Sequence, residues 1–335
     1  MSTLRFYQRL SAKLLLLLLL SAAVPIGLAA MLTFISARNV VTEDAAQLLS
    51  ARADQLVSEL DGFHRSYLRS VRRLGGFRPL ATFLTEAPGP LRGDESVLSI
   101  LQSYERTDAQ IRSLTIFNAE GAVALTTDMD PRTRGLSSSG KRYLRAALKG
   151  QELVSDVYLE ESSVEPLPMI SYYAPIFGTS GNPVGVIAMA VRASSFWDAV
   201  RAGNGRAGAN SFSVLYDGSG IRIAHSFNQE EVFRPGGPLD AAVVDAAIAE
   251  HRFGEHTMAL LASPLVMLEE FTRARAALVS EREVFRGHSQ ANGKANLGVA
   301  RRLKTVGWTL FYIVPEESID RPVQNLLESI ALAEQ

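Results

Sequence analysis

The stretch SLTIFNAEGAVALTT, residues 113–127, decides the fold of this chain. It is typical of two short strands of mostly apolar and β-branched residues, joined by the turn Ala-Glu-Gly at 119–121. The same order of strand, glycine-containing turn and strand returns further along the chain as SFSVLYDGSGIRIAHS, residues 211–226. A supersecondary unit that occurs twice in one chain predicts an internal structural repeat.

Each of these openings is followed by helix and strand patterns in the same order. A short helix and three strands follow the first opening, and the turn Gly-Asn-Pro at 181–183 joins the last two strands as a hairpin. Helical stretches and three more strands follow the second opening, so we predict two five-stranded α+β units. The predicted helices lie at 141–150, 239–251 and 258–280, and the predicted strands at 153–159, 169–177, 184–192, 282–288, 295–302 and 307–314.

The most apolar run of the chain lies upstream of the repeat. It reads LLLLLLLSAAVPIGLAAMLTFI, residues 14–35, and carries no charge. A helix of this run is about 33 Å long at about 1.5 Å per residue, which is enough to span a bilayer core. Basic residues in the preceding segment, 1–13, predict that this tail stays in the cytoplasm and that the rest of the chain lies outside the inner membrane. A cleaved secretory signal is the alternative, because small residues at 21–23 and 27–29 fit a cleavage site.

A long amphipathic helix connects the membrane run to the repeat. Apolar residues recur at steps of four and three from Leu49 to Leu74, which indicates a single buried stripe. Gly75-Gly76 predicts the end of this stalk helix. We also predict helices at 79–86 and 95–107, and we expect the chain to form a homodimer through the stalk.

The last segment, residues 316–335, reads EESIDRPVQNLLESIALAEQ and predicts an exit helix with Ile319, Val323, Leu326 and Ile330 on one face. This helix is directed back toward the membrane. We therefore expect a second membrane span and an output domain beyond Gln335, or else a receptor whose output domain belongs to another protein.

Composition excludes several classes of function. The 34 basic and 35 acidic residues nearly cancel, so no basic field indicates nucleic acid. The chain has no cysteine, which excludes thiol catalysis, cysteine zinc sites and iron–sulfur clusters. We expect no cofactor and no metal.

Two motif-like patterns lack the context that their chemistry needs. Gly203-Asn-Gly-Arg-Ala-Gly208 spells G-x-G-x-x-G, but a helix precedes it and a strand follows it, the reverse of a dinucleotide site, so we interpret it as a flexible linker. Glu250-His251 and Glu255-His256 do not have the H-E-x-x-H order, and their histidines do not share a helix face, so we interpret them as surface residues.

Four segments resemble the double-Cache sensor domains of bacterial receptors, which consist of two PAS-like units. LTIFNAEGAV resembles the family's first strand and its Asp/Asn-x-x-Gly turn, and APIFGTSGNPVGVIAMAV resembles the closing hairpin of the distal unit. KRYLRAALKGQELVSDVYL resembles the segment that walls the distal pocket, and VGWTLFYIVPEESI resembles the last strand of the proximal unit. The resemblance covers residues 14–335 and implies a transmembrane helix, a stalk helix, two PAS-like antiparallel sheets and an exit helix.

The resemblance also suggests where a ligand binds. The family's amino-acid-binding branch has an Arg-x-Trp-Tyr segment, a Tyr-x-Asp pair and a later Asp. In this chain the matching positions read Lys141-Arg-Tyr143-Leu, Tyr158-Leu-Glu160 and Ala190. Lys141 then becomes the expected carboxylate partner, although lysine lacks the bidentate fork of arginine. An alanine at 190 removes the ammonium partner and favours a carboxylate or another small polar ligand over an α-amino acid.

Three acidic or aromatic residues share the predicted strand 153–159 or follow it directly. Asp156, Tyr158 and Glu160 alternate at period two, so they are expected on one face of that strand. That face is open to three interpretations: the pocket, solvent, or paired acids of a hydrolase. We favour binding over catalysis. The candidate ligand-binding residues are Lys141, Tyr143, Asp156, Tyr158, Glu160 and Tyr172.

We therefore expect a non-enzymatic, extracytoplasmic small-molecule sensing domain of a chemoreceptor, histidine kinase or cyclic-dinucleotide receptor, with its ligand in the distal unit. The alternative is a module that docks a periplasmic partner protein and has no small-molecule pocket. The expected organisation is a cytoplasmic tail at 1–13, a transmembrane helix at 14–35, a stalk at 36–76, a distal unit at 77–200, a linker at 201–210, a proximal unit at 211–315 and an exit helix at 316–335.

Overall fold

The computed structural model describes most of the chain. Most of the predicted exit helix, the end of the predicted helix 258–280 and the start of the predicted strand 282–288 lie outside the described residues. The described residues are 3–85, 93–129, 140–160, 166–276, 284–289 and 293–321.

One helix, α1, runs without interruption from Thr3 to Gly75. This confirms that the membrane run continues into the stalk and that the glycine pair ends it. The predicted apolar stripe packs against the rest of the protein: from Leu49 to Leu74 all its members are buried except Phe63, which is half-buried. Among the described residues, only the helix segment Lys13–Gly75 is long and apolar enough to cross a membrane, with a mean hydropathy of 2.5 in its most apolar window.

The distal unit is an antiparallel sheet with helices on both faces. Its strand order is β2-β1-β6-β5-β3, and the short strand β4 also pairs with β5. The predicted single strand at 153–159 is wrong, because the chain leaves the sheet at Asp156 and returns to it at Tyr158. The elements are α2 (Arg78–Thr85), α3 (Gly93–Glu105), β1 (Ile111–Asn118), β2 (Val123–Thr126), α4 (Lys141–Ala147), β3 (Leu153–Val154), β4 (Tyr158–Glu160), β5 (Leu167–Phe177) and β6 (Pro183–Arg192).

The proximal unit repeats this sheet with the order β8-β7-β11-β10-β9. The helix predicted at 258–280 is interrupted around Pro264, which has no N–H to donate and would clash within a helix. Helix α5 precedes the G-x-G-x-x-G segment and strand β7 follows it, as predicted. The elements are α5 (Ser194–Ala202), β7 (Phe212–Tyr216), β8 (Arg222–His225), α6 (Ala241–Ala249), α7 (Thr257–Leu261), α8 (Leu268–Arg275), β9 (Val284–Ser289), β10 (Lys294–Arg302) and β11 (Thr309–Pro315).

The two opening turns of the repeat share the same side-chain hydrogen bond and the same glycine conformation. In the distal unit the Asn118 side chain accepts the N–H of Ala122 at 2.8 Å, and Gly121 has φ +80°. In the proximal unit the Asp217 side chain accepts the N–H of Ile221 at 2.9 Å, and the glycine at the equivalent position, 220, has φ +87°. Only glycine adopts this left-handed conformation without strain, which explains the predicted Asp/Asn-x-x-Gly pattern.

The stalk, both sheets and α5 share one hydrophobic core. The exit helix begins at Glu316, and its Asp320 forms a bidentate ion pair with Arg38 of α1 at 2.9 and 3.0 Å. This ion pair therefore joins α1 to the start of the exit helix.

Candidate ligand-binding site

Helix α4 forms one wall of the candidate site. Its apolar side packs on the sheet, where Leu144 and Ala147 contact a buried cluster that includes Tyr173 of β5. This packing orients Tyr143 of the same helix so that its ring stacks on that of Tyr173, with the centroids 5.9 Å apart and the planes at 15°.

A patch of small side chains, which we call the floor, lies next to the site on the sheet face that also carries Tyr173. Ala190 of β6 lies between Ser113 of β1 and Ser171 of β5, so these three residues share one face. The hydroxyl of Tyr158, on β4, lies 2.8 Å from that of Ser171. The floor is therefore polar but uncharged.

A charged cluster closes the edge of the site where α4 meets the segment between β3 and β4. Arg142 donates to Asp156 at 2.7 Å and to the hydroxyl of Tyr143 at 2.8 Å. The same hydroxyl donates to Asp156 at 2.9 Å and accepts its backbone N–H at 2.9 Å. On the other side of Arg142, Glu250 lies 3.5 Å away.

The charge of Asp156 is set by two guanidinium groups. Burial alone would raise its pKa, but Arg252 and Arg142 act against this and hold the pKa of Asp156 below its ordinary value. Burial also raises the pKa of the Tyr143 phenol, with Asp156 contributing in the same direction. The carboxyl is therefore an anion and the phenol a neutral hydrogen-bond donor at physiological pH.

The cavity among these groups is narrow, with room for about one water molecule. It combines two arginines, two acids and three tyrosines. Its lining consists of Gly140, Arg142, Tyr143, Ser155, Asp156, Tyr158, Tyr173, Glu250 and Arg252.

A second charged cluster lies at the far end of the same sheet face. Arg112 of β1 is 3.4 Å from Asp128 and 3.7 Å from Glu160. All three side chains are mostly buried, so this cluster keeps charge next to the floor of the site.

Three of the six predicted ligand-binding residues meet around the cavity: Tyr143, Asp156 and Tyr158. Glu160 lies beside it, in the cluster with Arg112. Lys141 is exposed at the start of α4 and does not line the cavity, where the neighbouring Arg142 supplies the positive charge.

Tyr172, also among the predicted ligand-binding residues, lies on the opposite face of the sheet from the cavity. It alternates with Ser171 and Tyr173 along β5, so its ring points toward the stalk. There it is fully buried, with its hydroxyl 2.9 Å from Nδ1 of His64 and its ring stacked on Tyr67.

Five charged residues at or beside the site are absent from the predicted set: Arg112, Asp128, Arg142, Glu250 and Arg252. Arg142 directly follows the predicted Lys141, whereas Arg112 is distant in sequence from Glu160, its predicted neighbour in the cluster. Glu250 and Arg252 come from the proximal unit, and the interpretation of Glu250 as a surface residue is wrong because it faces Arg142. His251 and His256 are exposed, as predicted. In the part of the chain that the structure describes, no group of three or more metal-ligating side chains is assembled.

Two PAS-like antiparallel sheets in tandem, both packed on one long N-terminal helix, define a tandem sensor-type module. The chain belongs to the Cache domain family, whose model matches residues 36–323. This confirms the resemblance inferred from the four sequence segments, and members of the family are ligand-binding sensor modules of membrane receptors.

Several solved sensor domains have the same fold. The sensor domain of the V. cholerae histidine kinase DctB is 14% identical, with a TM-score of 0.58, over 79% of this chain and 95% of that one. The ligand-binding domain of the Campylobacter jejuni chemoreceptor Tlp3, in complex with 4-methylisoleucine, is 16% identical, with a TM-score of 0.56, over 84% and 95%. That of the Pseudomonas fluorescens chemoreceptor CtaA, in complex with L-serine, is 12% identical, with a TM-score of 0.55, over 82% and 99%. No curated protein matches the sequence significantly.

Proposed function

We propose that this chain is the extracytoplasmic sensing domain of a membrane-anchored receptor. It binds a small polar ligand in its distal unit, and a carboxylate is the ligand class that we favour. The observation that carries this proposal is the cavity between α4 and the sheet, where two arginines, two acids and three tyrosines converge. Convergent polar groups around a cavity are typical of small-molecule sites.

The ion pair of Arg142 with Asp156 suggests how a carboxylate would bind. A ligand carboxylate offers the guanidinium a charged acceptor oxygen, as Asp156 does at present. Because the cavity is narrow, such a ligand has to take the place of Asp156 as the partner of Arg142. Binding would then move α4 relative to the segment between β3 and β4.

An amino-acid ligand, as in the Tlp3 and CtaA complexes, would also need a partner for its ammonium group. Ala190 has only a methyl group to offer, and its neighbours across the strands, Ser113 and Ser171, carry neutral hydroxyls. This supports a ligand without an essential ammonium group.

The anchor in this proposal is the apolar run of α1, none of whose most apolar window is buried in the protein. With the basic tail in the cytoplasm, the Cache domain would lie outside the inner membrane. We further propose that the receptor is a homodimer joined along the stalk, the arrangement in which a change in one helix can be transmitted past the bilayer.

Thermal unfolding of the full chain in lipid nanodiscs tests the ligand. Acetate, succinate, L-serine, putrescine and adenine serve as probes, and a carboxylate at about 100 times its Kd is expected to raise the free energy of unfolding by about 2.7 kcal/mol. Arg142→Gln is expected to abolish that shift, because it removes the partner of the ligand carboxylate.

Arg145→Gln is the matched control, because Arg145 is an exposed arginine on the same helix that does not line the cavity. It should retain the full shift. A shift that persists in Arg142→Gln, or stabilisation by putrescine alone, would contradict a carboxylate site. If no probe shifts the unfolding transition, a module that docks a partner protein would be favoured instead. The charged lining of the cavity argues against that alternative.

A further inference from the structure

One arginine of the proximal unit reaches into the distal unit. Arg252 is only 4% exposed, and its Nε donates to the carbonyl of Val157 at 2.9 Å. Its own carbonyl accepts the N–H of Leu159 at 2.8 Å. Its Nη2 donates to Asp217, in the opening turn of the proximal unit, at 2.8 Å. Arg252 thus connects the two units: two of its hydrogen bonds reach the distal unit, and the third holds it to its own unit.

The end of helix α6 directs Arg252 to this position. The N–H groups of Arg252 and His251 bond to the carbonyls of Ala247 and Ile248, both at 3.0 Å, which is the pattern of a Schellman motif. His251 takes the left-handed position of this motif, φ +48°, where glycine is usual. The reversal of the chain after α6 is therefore built by specific backbone bonds, and it places the next residue against the distal unit.

Asp217, the partner of Arg252, uses its two carboxylate oxygens for two different sets of hydrogen bonds. One carboxylate oxygen of Asp217 holds the opening turn by accepting the N–H groups of Ser219 and Ile221, both at 2.9 Å, and the other holds Arg252. At the equivalent position of the distal unit, Asn118 holds its turn with an amide oxygen. An amide therefore supports this turn, and the second carboxylate oxygen of Asp217 is needed only for Arg252.

On its distal side, Arg252 acts on the cavity. It lines the same space as Asp156 and Tyr143, and with Arg142 it compensates the charge of Asp156. Asp156 in turn fixes the hydroxyl of Tyr143 by two hydrogen bonds. If Arg252 left the cavity, Asp156 would keep only Arg142 to compensate its buried charge. Asp156 would then be held less firmly, and so would the Tyr143 ring that it orients.

We propose that Arg252 is a positioning residue of the distal site, which is complete only when the proximal unit is docked, so that ligand binding in the distal unit and docking of the two units are thermodynamically linked. This rests on the proposed function, since it describes how that site is regulated. The linkage is reciprocal: docking raises the affinity for the ligand, and the ligand tightens docking by the same factor.

The decisive variant is Asp217→Asn, which keeps the turn, as Asn118 does, and removes the acceptor of Arg252. In the full chain in nanodiscs, its affinity for succinate or L-serine, whichever binds the wild type, is expected to be about tenfold lower by calorimetry, within the usual range of allosteric coupling. Asp240→Asn is the matched control: Asp240 also pairs with an arginine, Arg275, but at the surface of the proximal unit. It should leave the affinity unchanged.

Hydrogen–deuterium exchange at Leu159 separates linkage from a merely structural role, because this amide donates the hydrogen bond between the units. The bound probe is expected to slow its exchange about tenfold in the wild type and not in Asp217→Asn. Arg252→Lys, which keeps the charge but loses the fork, is expected to give an intermediate affinity and is the second variant if Asp217→Asn does not fold. The proposal is overturned if the folded variant, Asp217→Asn or Arg252→Lys, binds the probe with an affinity within twofold of that of the wild type.

A ligand-free comparison decides the case in which neither probe binds. Tyr143→Phe removes the hydroxyl that Asp156 bonds and is expected to speed exchange at Leu159 at least fivefold. Tyr67→Phe, the control, removes a hydroxyl that donates to Asp108 at 2.7 Å on the stalk side of the same unit. Equal exchange in the two variants overturns the linkage. Faster exchange in Tyr143→Phe alone supports it, while the absence of probe binding then counts only against the proposed ligand class.

Discussion

Replacing Phe196 with alanine is expected to lower the free energy of unfolding by about 3–5 kcal/mol. Phe196 lies on α5, the helix between the two sheets, and is fully buried. Its ring centroid is 5.6 Å from Trp308 of the proximal unit and 6.1 and 6.3 Å from Phe63 and His64 of the stalk. Alanine would leave a cavity where the stalk and both units meet, and large rigid neighbours of this kind collapse poorly into a void.

Urea denaturation monitored by tryptophan fluorescence measures this loss of stability at the junction, the region around Phe196 where the stalk and both units meet. The chain has two tryptophans, Trp197 and Trp308, and both lie within 6.5 Å of the Phe196 ring. Circular dichroism followed in parallel reports on the whole chain. Phe177→Ala, at a position 47% exposed, is the matched control and is expected to cost less than about 1 kcal/mol. Equal losses in the two variants would show that the junction does not hold the units together.

The elements that the sequence predicted well are those whose pattern is local and long. The stripe from Leu49 to Leu74 repeats over many turns, and the structure buries it as expected. The opening turns were predicted because an Asp or Asn and a glycine at fixed spacing have a local hydrogen-bonding reason to form a turn. In both cases the information needed lies within a few residues of the element.

The site was predicted only in part because its geometry depends on strand register and on contacts distant in sequence. Period two implies that Tyr172 and Tyr173 point to opposite faces, but it does not say which of them faces the cavity. The bond of Arg252 to Val157 spans 95 residues, and no local pattern encodes it. Asp156 was assigned to a continuous strand because a break with no proline or glycine leaves no sequence signal.

Acidification is expected to destabilise the protein through His64 of the stalk. This side chain is fully buried, its Nδ1 lies 2.9 Å from the Tyr172 hydroxyl, and its Nε2 has no hydrogen-bond partner among the described residues. Burial lowers the pKa of His64 to about 4, and the carboxylate of Asp61 opposes this only in part. The imidazole is thus neutral in the folded protein over most of the range in which it would be charged in the unfolded chain.

The direction of the pH effect follows from proton binding. Between about pH 6.5 and pH 4 the unfolded chain binds a proton at His64 that the folded protein does not. The stabilising contribution of the neutral imidazole is therefore complete above about pH 6.5 and is lost as the pH falls toward 4. The shift corresponds to at most about 3 kcal/mol for this group.

His64→Gln removes the titration and leaves an amide that can still bond to the Tyr172 hydroxyl. Its free energy of unfolding is expected to fall less than that of the wild type between pH 7 and pH 4. The difference between the two losses is expected to reach about 3 kcal/mol at pH 4. His256→Gln, at an exposed histidine, should follow the wild-type curve. His225, whose pKa burial lowers to about 3, should contribute to the acid sensitivity left in His64→Gln. Superimposable curves for His64→Gln and the wild type would mean that His64 carries a proton in the folded protein, and that the contact between stalk and sheet tolerates a charge.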